Sequence, residues 1–142
     1  MSRTYVFRRP VAFGDVDYAR ILYYPKFFHY CHQALEGFAA DALGISYAEL
    51  LGKEKIGFPT VHIEADYHAP IPYGSDIEIA TTLVKLGTKS LVFRFRARVP
   101  GDPGDRMEAR ITKVCGDMDA FTGQPIPAWI VERFRAYLET PS

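Results

Sequence analysis

Residues 25–43, PKFFHYCHQALEGFAADAL, decide the fold. Pro25 stands where a helix begins, because a first-turn residue needs no amide hydrogen. Behind it Phe27, Cys31, Ala34, Leu35, Phe38 and Ala42 recur at helical spacing, with Phe28 and Ala39 widening the stripe. The spacing predicts a long helix to about Leu43, stopped at Gly44. A helix this apolar along one face must lie against a second layer.

The second layer follows in the chain. Residues 46–51, SYAELL, predict a short helix with Ser46 as N-cap and Glu49 completing a capping box. GKEKIGFP leads out of it. From Thr60 the period changes to two: Val61, Ile63, Ala65 and Tyr67 alternate with His62, Glu64, Asp66 and His68, the pattern of a half-buried strand. APIPYG is a turn, Asp76 to Leu86 a second strand, and Leu91, Phe93, Phe95, Ala97 and Val99 the inner face of a third. PGDPGD makes a hairpin loop, Met107 to about Phe121 reads as the last strand, and Pro127 opens a helix carrying Ile130, Val131, Phe134 and Leu138. Upstream, residues 4–13 predict a strand that Pro10 places at an edge, because proline donates no ladder bond. Residues 14–24 predict a loop. Strands joined by short turns pair antiparallel. The expectation is a single α+β domain over 1–142, with a curved antiparallel sheet of about five to six strands around one long helix.

Composition bounds the function. The chain has 142 residues, nearly half hydrophobic, with 17 basic and 17 acidic side chains. This is the balance of a globular domain with no overall basic footprint for nucleic acid. No apolar run approaches the ~20 residues that span a bilayer. The first residues carry charge where a signal peptide needs an apolar core, and no Asn is present for N-glycosylation. The cytoplasm is therefore expected. Cys31 and Cys115 fit no paired motif and read as reduced, buried thiols.

Cofactor and metal signatures are missing. Gly87-Thr88-Lys89-Ser90 ends like a phosphate loop but lacks the upstream glycine. His29 and His32 flank Cys31 on the long helix, yet no further Cys or His stands at ligand spacing, so no metal is expected. No GxSxG elbow occurs. Arg94, Arg96 and Arg98 share one strand face, which fits either an exposed polar surface or phosphate contacts. What remains is the loop before the long helix, with Asp15 and Asp17. A helix start offers amide hydrogens and partial positive charge to a carbonyl oxygen on which charge develops. A carboxylate opposite could attack the carbonyl carbon or deprotonate a water. The same pattern also fits two aspartates merely solvated near a helix start.

The segment FGDVDYARILYYPKFF resembles the signature of the 4-hydroxybenzoyl-CoA thioesterase family, of hot-dog fold, through Phe13, Asp15, Asp17, Ile21, Leu22, Tyr23, Tyr24 and Pro25. GFPTVHIEADYHAPIPYGSDIEI and LVKLGTKSLVFRFRARV are similar to later blocks of that family, in register. The resemblance implies an acyl-CoA thioesterase without cofactor, with an aromatic, benzoyl-type acyl group as the first expectation and short or branched aliphatic groups left open. It implies a homodimer or homotetramer with active sites between subunits. Asp17 would be nucleophile or general base, and the Tyr24 amide hydrogen would hold the carbonyl. Lys89 and Ser90 would lie near the CoA phosphates. Phe58, Pro59, Thr60 and His62 of the neighbouring subunit would line the acyl pocket. Where the family carries Gly, this chain has Arg20. Glycine serves where φ is positive, so either the loop departs from the family path or Arg20 adds a charge at the pocket mouth. Two alternatives stand beside hydrolysis. One is a hydratase or dehydratase of the same fold, disfavoured because no His precedes the long helix; the other is an acyl-CoA binding module without turnover.

Overall fold

A computed structural model describes residues 2–139. Helix α1 runs over Lys26–Leu43, and Gly44 ends it in the left-handed conformation (φ 75°) that glycine adopts without penalty. Helix α2 spans Tyr47–Gly52, and the Ser46 hydroxyl accepts the Glu49 amide hydrogen, as the capping pattern predicts. The strands are β1 Tyr5–Pro10, β2 Ile56–Gly57, β3 Thr60–Tyr67, β4 Asp76–Leu86, β5 Ser90–Arg98, β6 Met107–Val114, β7 Gly116–Asp117 and β8 Thr122–Gly123, followed by α3 Ala128–Phe134.

Five strands form one antiparallel sheet in the order β1-β4-β5-β6-β3. Strand β1 is an edge, and Pro10 closes it opposite Asp76. The inner face of β5, Leu91, Phe93, Phe95 and Ala97, is buried under α1. Phe38 of α1 anchors the core, its ring 5.3 Å from that of Phe93, 5.1 Å from Phe134 and 4.7 Å from Tyr137. Gly37 allows the helix to approach β1: a Cβ there would collide with the Tyr5 hydroxyl.

Three sequence expectations change. The last strand stops at Val114 rather than continuing to Phe121. There the chain leaves the large sheet, and Gly116–Asp117 pairs instead with β2 and β8 in a small second sheet. The Asp117 carboxylate accepts the amide hydrogens of Asp119 and Ala120, so aspartate turn chemistry overrides the apolar alternation. Strand β1 ends at Pro10, and a 3-10 turn, Phe13–Asp15, replaces its predicted end. Strand β3 is not half-buried: all its residues except Ala65 are exposed. It is the other edge of the sheet, and no strand among the described residues pairs with its outer side.

Candidate active site

The loop before α1 is built as a hairpin. Val16 bridges Leu22, the Asp17 amide donates to the Ile21 carbonyl, and the Arg20 amide donates back to the Asp17 carbonyl. Arg20 occupies the left-handed region (φ 65°). A tight turn followed by a left-handed residue is a standard hairpin closure, and its last position favours glycine. The chain thus keeps a glycine-type turn and carries the strain of an arginine in it. Two bonds tie the hairpin to residues 71–73: Leu22 N–H to Ile71 C=O at 2.8 Å and Tyr73 N–H to Arg20 C=O at 2.9 Å.

The two aspartates have different surroundings. Asp15 accepts a short hydrogen bond from the Tyr30 hydroxyl, stands 3.9 Å from the Lys26 ammonium, and its side chain is only 16% exposed. Its carbonyl also accepts the Tyr23 amide hydrogen at 2.8 Å. Asp15 therefore fastens the loop to α1. Asp17 is exposed, and one of its carboxylate oxygens accepts the Ala19 amide hydrogen at 2.9 Å, which fixes the rotamer. The other oxygen has no partner among the described residues.

At the helix start the amides of Lys26, Phe27 and Phe28 donate to carbonyls three residues back. The Tyr24 amide hydrogen has no acceptor among the described residues, and Pro25 has no amide hydrogen to offer. Tyr24 N–H is thus the donor left over at the positive end of α1. The Tyr67 hydroxyl, at the end of β3, donates to the Tyr24 carbonyl at 3.1 Å, and the two rings meet edge-on. Burial raises the Tyr67 phenol above its ordinary value, which keeps it a neutral donor. Asp17 and Tyr24 line one cavity of about 400 Å³, with Leu22, Tyr67, Pro70 and Met107. A carboxylate and an unspent amide hydrogen on one cleft can polarise and attack a carbonyl.

The remaining predicted residues lie elsewhere in the same chain. Phe58, Pro59 and Thr60 line a second cavity of about 690 Å³ between α1, α2 and the small sheet. His62 does not join them. A bulge between Thr60 and His62 shifts the register, and His62 pairs with Glu64, 3.2 Å away. Lys89 and Ser90 sit in the β4–β5 turn, which Gly87 N–H closes onto the Ser90 carbonyl at 2.8 Å. Ser90 pairs with Val114 at one end of β6, whereas Met107, at the other end, lines the Asp17 cavity. At ~3.3 Å per residue this separates the two places by roughly 20–25 Å. Arg94 is paired with Glu108 (2.9 Å) and Glu139 (2.8 Å), and Arg98 with Asp105 (3.0 Å), so two of the three arginines are held by carboxylates of this chain. Among the described residues no group of three His, Cys, Asp or Glu side chains converges as a metal site would.

Sequence reasoning missed Tyr67 as the support of Tyr24 and missed Lys113, which lines the larger cavity. A signal for Lys113 existed: it falls in phase with Ile111 and Cys115 on an apolar face.

Known proteins share this architecture. A 1,4-dihydroxy-2-naphthoyl-CoA hydrolase of Synechococcus elongatus is 29% identical over 136 residues, covering 95% of each chain. A thioesterase superfamily structure from Jannaschia sp. CCS1 superposes with a TM-score of 0.90 at 23% identity, covering 96% of this chain and 94% of that one. A gentisyl-coenzyme A thioesterase superposes with a TM-score of 0.76 at 27% identity, covering 90% and 98%. The family described as the thioesterase-like superfamily matches residues 11–134, and the chain belongs to it, as an acyl-CoA thioesterase with the hot-dog fold.

Proposed function

We propose that this thioesterase hydrolyses aromatic acyl-CoA esters at a site shared by two copies of the chain, with Asp17 as its catalytic carboxylate. The supporting observation is that Asp17 and Tyr24, whose amide hydrogen has no acceptor among the described residues, line one cavity at the N-terminus of α1. The thioester oxygen accepts from Tyr24 N–H, where the helix dipole favours the charge that develops on it. Asp17 then adds to the carbonyl carbon, giving a mixed anhydride and expelling CoA thiolate, or it takes a proton from the attacking water. In the first route water hydrolyses the anhydride and regenerates the carboxylate. The aromatic preference is supported by relatives named for dihydroxynaphthoyl-CoA and gentisyl-CoA and by the aromatic wall of the larger cavity, with Tyr47, Phe58 and Phe121.

The second copy is argued from β3. Asp17 lies beside its Tyr67 end, the larger cavity beside its Thr60 end, and the strand is an exposed edge with apolar side chains at Val61 (58% exposed) and Ile63 (43%). A second β3 laid antiparallel across a two-fold axis sets the Tyr67 end of one copy against the Thr60 end of the other. The acyl group then runs from Asp17 of one copy toward Phe58, Pro59 and Thr60 of its partner, and Lys89 and Ser90 come near enough to meet CoA phosphates. A tetramer adds a second such pair.

The test is release of free thiol from benzoyl-CoA. Asp17→Asn is expected to lower kcat by ~10²–10⁴-fold with its folding unchanged. A variant that keeps near-full turnover would remove Asp17 from the chemistry.

A further inference from the structure

The larger cavity is apolar along Tyr47, Leu51, Phe58, Met118 and Phe121, yet a cation lies in its wall. Lys113 is only 6% exposed. Its ammonium donates to the Phe58 carbonyl at 3.2 Å and to the Thr60 hydroxyl at 2.9 Å. An ammonium carries three N–H donors, so one is unspent. Among the described residues no carboxylate stands within ion-pair distance of it: His32 holds Glu36 (3.3 Å) at the cavity rim, and the remaining acidic partners belong to other cations. A buried charge without a counter-charge is unfavourable. Burial accordingly holds the Lys113 ammonium below the ordinary lysine value, with the Cys31 thiol acting in the opposite direction.

A purely structural role accounts for part of this. The two bonds tie residues 58–60 to β6, where Thr60 and Lys113 are register partners. A neutral donor would make the same clamp without bringing a charge into an apolar wall. The third donor, the missing counter-charge and the open cavity remain, and an anionic ligand accounts for all three.

We propose that Lys113 is a specificity-determining residue, whose free N–H takes an acidic oxygen at the far end of the acyl group, a phenolate or a ring carboxylate. The proposal rests on the thioesterase reading and on the composite site, and it adds that the enzyme selects acyl groups by distal negative charge. A charge-assisted hydrogen bond of this kind discriminates by about 10- to 100-fold in kcat/KM.

The experiment measures thiol release by the purified enzyme from four esters: benzoyl-CoA, 4-methylbenzoyl-CoA, 4-hydroxybenzoyl-CoA and 4-carboxybenzoyl-CoA. The methyl group matches the hydroxyl in size, and the last two separate phenolic from carboxylate oxygen. The wild-type protein is expected to favour at least one oxygen-bearing ester over both plain esters by about 10-fold or more. Lys113→Met is expected to erase that preference, read as the ratio of kcat/KM between the oxygen-bearing and plain esters within the same variant, so that a general loss of turnover does not enter the comparison. Lys113→Gln, which keeps a neutral donor for the clamp, serves if the Met variant does not fold, and it too should lose the preference. Equal wild-type rates on all four esters, or a preference that survives in the Lys113 variant, would overturn the proposal. Failure of the thioesterase reading shows separately, as an absence of thiol release by the wild-type protein from all four esters.

Discussion

The two ends of strand β3 differ in what they offer a substrate. At the Tyr67 end, Asp17 with its fixed carboxylate and Tyr24 with its unspent amide hydrogen line a cleft of about 400 Å³. At the Thr60 end, a cavity of about 690 Å³ has aromatic walls and one buried cation, and it lacks Asp17. On the proposed reading, one end carries the reacting groups and the other the space and polarity to recognise an acyl group. On the same reading, pairing of this edge strand with its own copy brings the two ends together and covers the apolar residues that the described part of one chain leaves exposed.

That division can be broken by mixing subunits. Asp17→Asn leaves the cavity intact, and Ala48→Trp, on α2 at the cavity wall, fills it while sparing Asp17. Each variant alone is expected to lose activity, Asp17→Asn by ~10²–10⁴-fold. Co-expressed subunits are expected to recover about a quarter of wild-type turnover. Random pairing makes about half the dimers mixed, and each mixed dimer carries one intact site of two. Assays showing no recovery would place the whole site within a single chain.

A second test attacks the edge itself. Ile63→Lys introduces a charge on β3 where a second copy would pair. Sedimentation should show dissociation toward monomer, and thiol release should fall in parallel. A dimeric, active variant would move the interface away from β3.

The two aspartates allow a finer comparison. Asp15→Ala removes the acceptor of the Tyr30 hydroxyl and the neighbour of Lys26. A buried hydrogen-bonded partner lost in this way costs about 1–3 kcal/mol, so the melting temperature should fall, and kcat should fall less than in Asp17→Asn. If Asp15→Ala were the more damaging of the two for kcat at equal stability, their roles would be reversed.

The smallest expected effect concerns Arg20. Glycine would relieve a left-handed side-chain penalty of ~1–2 kcal/mol and would cost ~0.5–1 kcal/mol through the unfolded chain. Arg20→Gly should therefore raise stability by up to about 1.5 kcal/mol, visible as a higher denaturant midpoint, with kcat little changed. A clear loss of activity would instead give the guanidinium a part in binding.

Much of the fold was legible in one dimension because its signals are local. The helix from Lys26 to Leu43, the Ser46 cap, Gly44 as terminator and the bounds of β4 follow from periodicity, capping chemistry and glycine's freedom. The hairpin carrying Asp17 was also locatable, since a turn between strand and helix is written in neighbouring residues. The break at Cys115 was not legible: apolar and polar residues go on alternating beyond it with only a change of phase, and it is set by pairing of Gly116–Asp117 with β2, far upstream, as well as with the nearby β8.

The sequence alone determined a long apolar helix over an antiparallel sheet and an acidic turn before that helix, because spacing and turn chemistry act over a few residues. Tertiary structure decided which aspartate is fastened and which lines a cleft, and that among the described residues the Tyr24 amide hydrogen has no acceptor and buried Lys113 no counter-charge. These depend on Tyr30, Tyr67, Phe58 and Thr60, residues brought near only when the sheet closes over the helix. Burial and hydrogen-bond satisfaction are properties of that assembled packing, and no local window of the chain contains them.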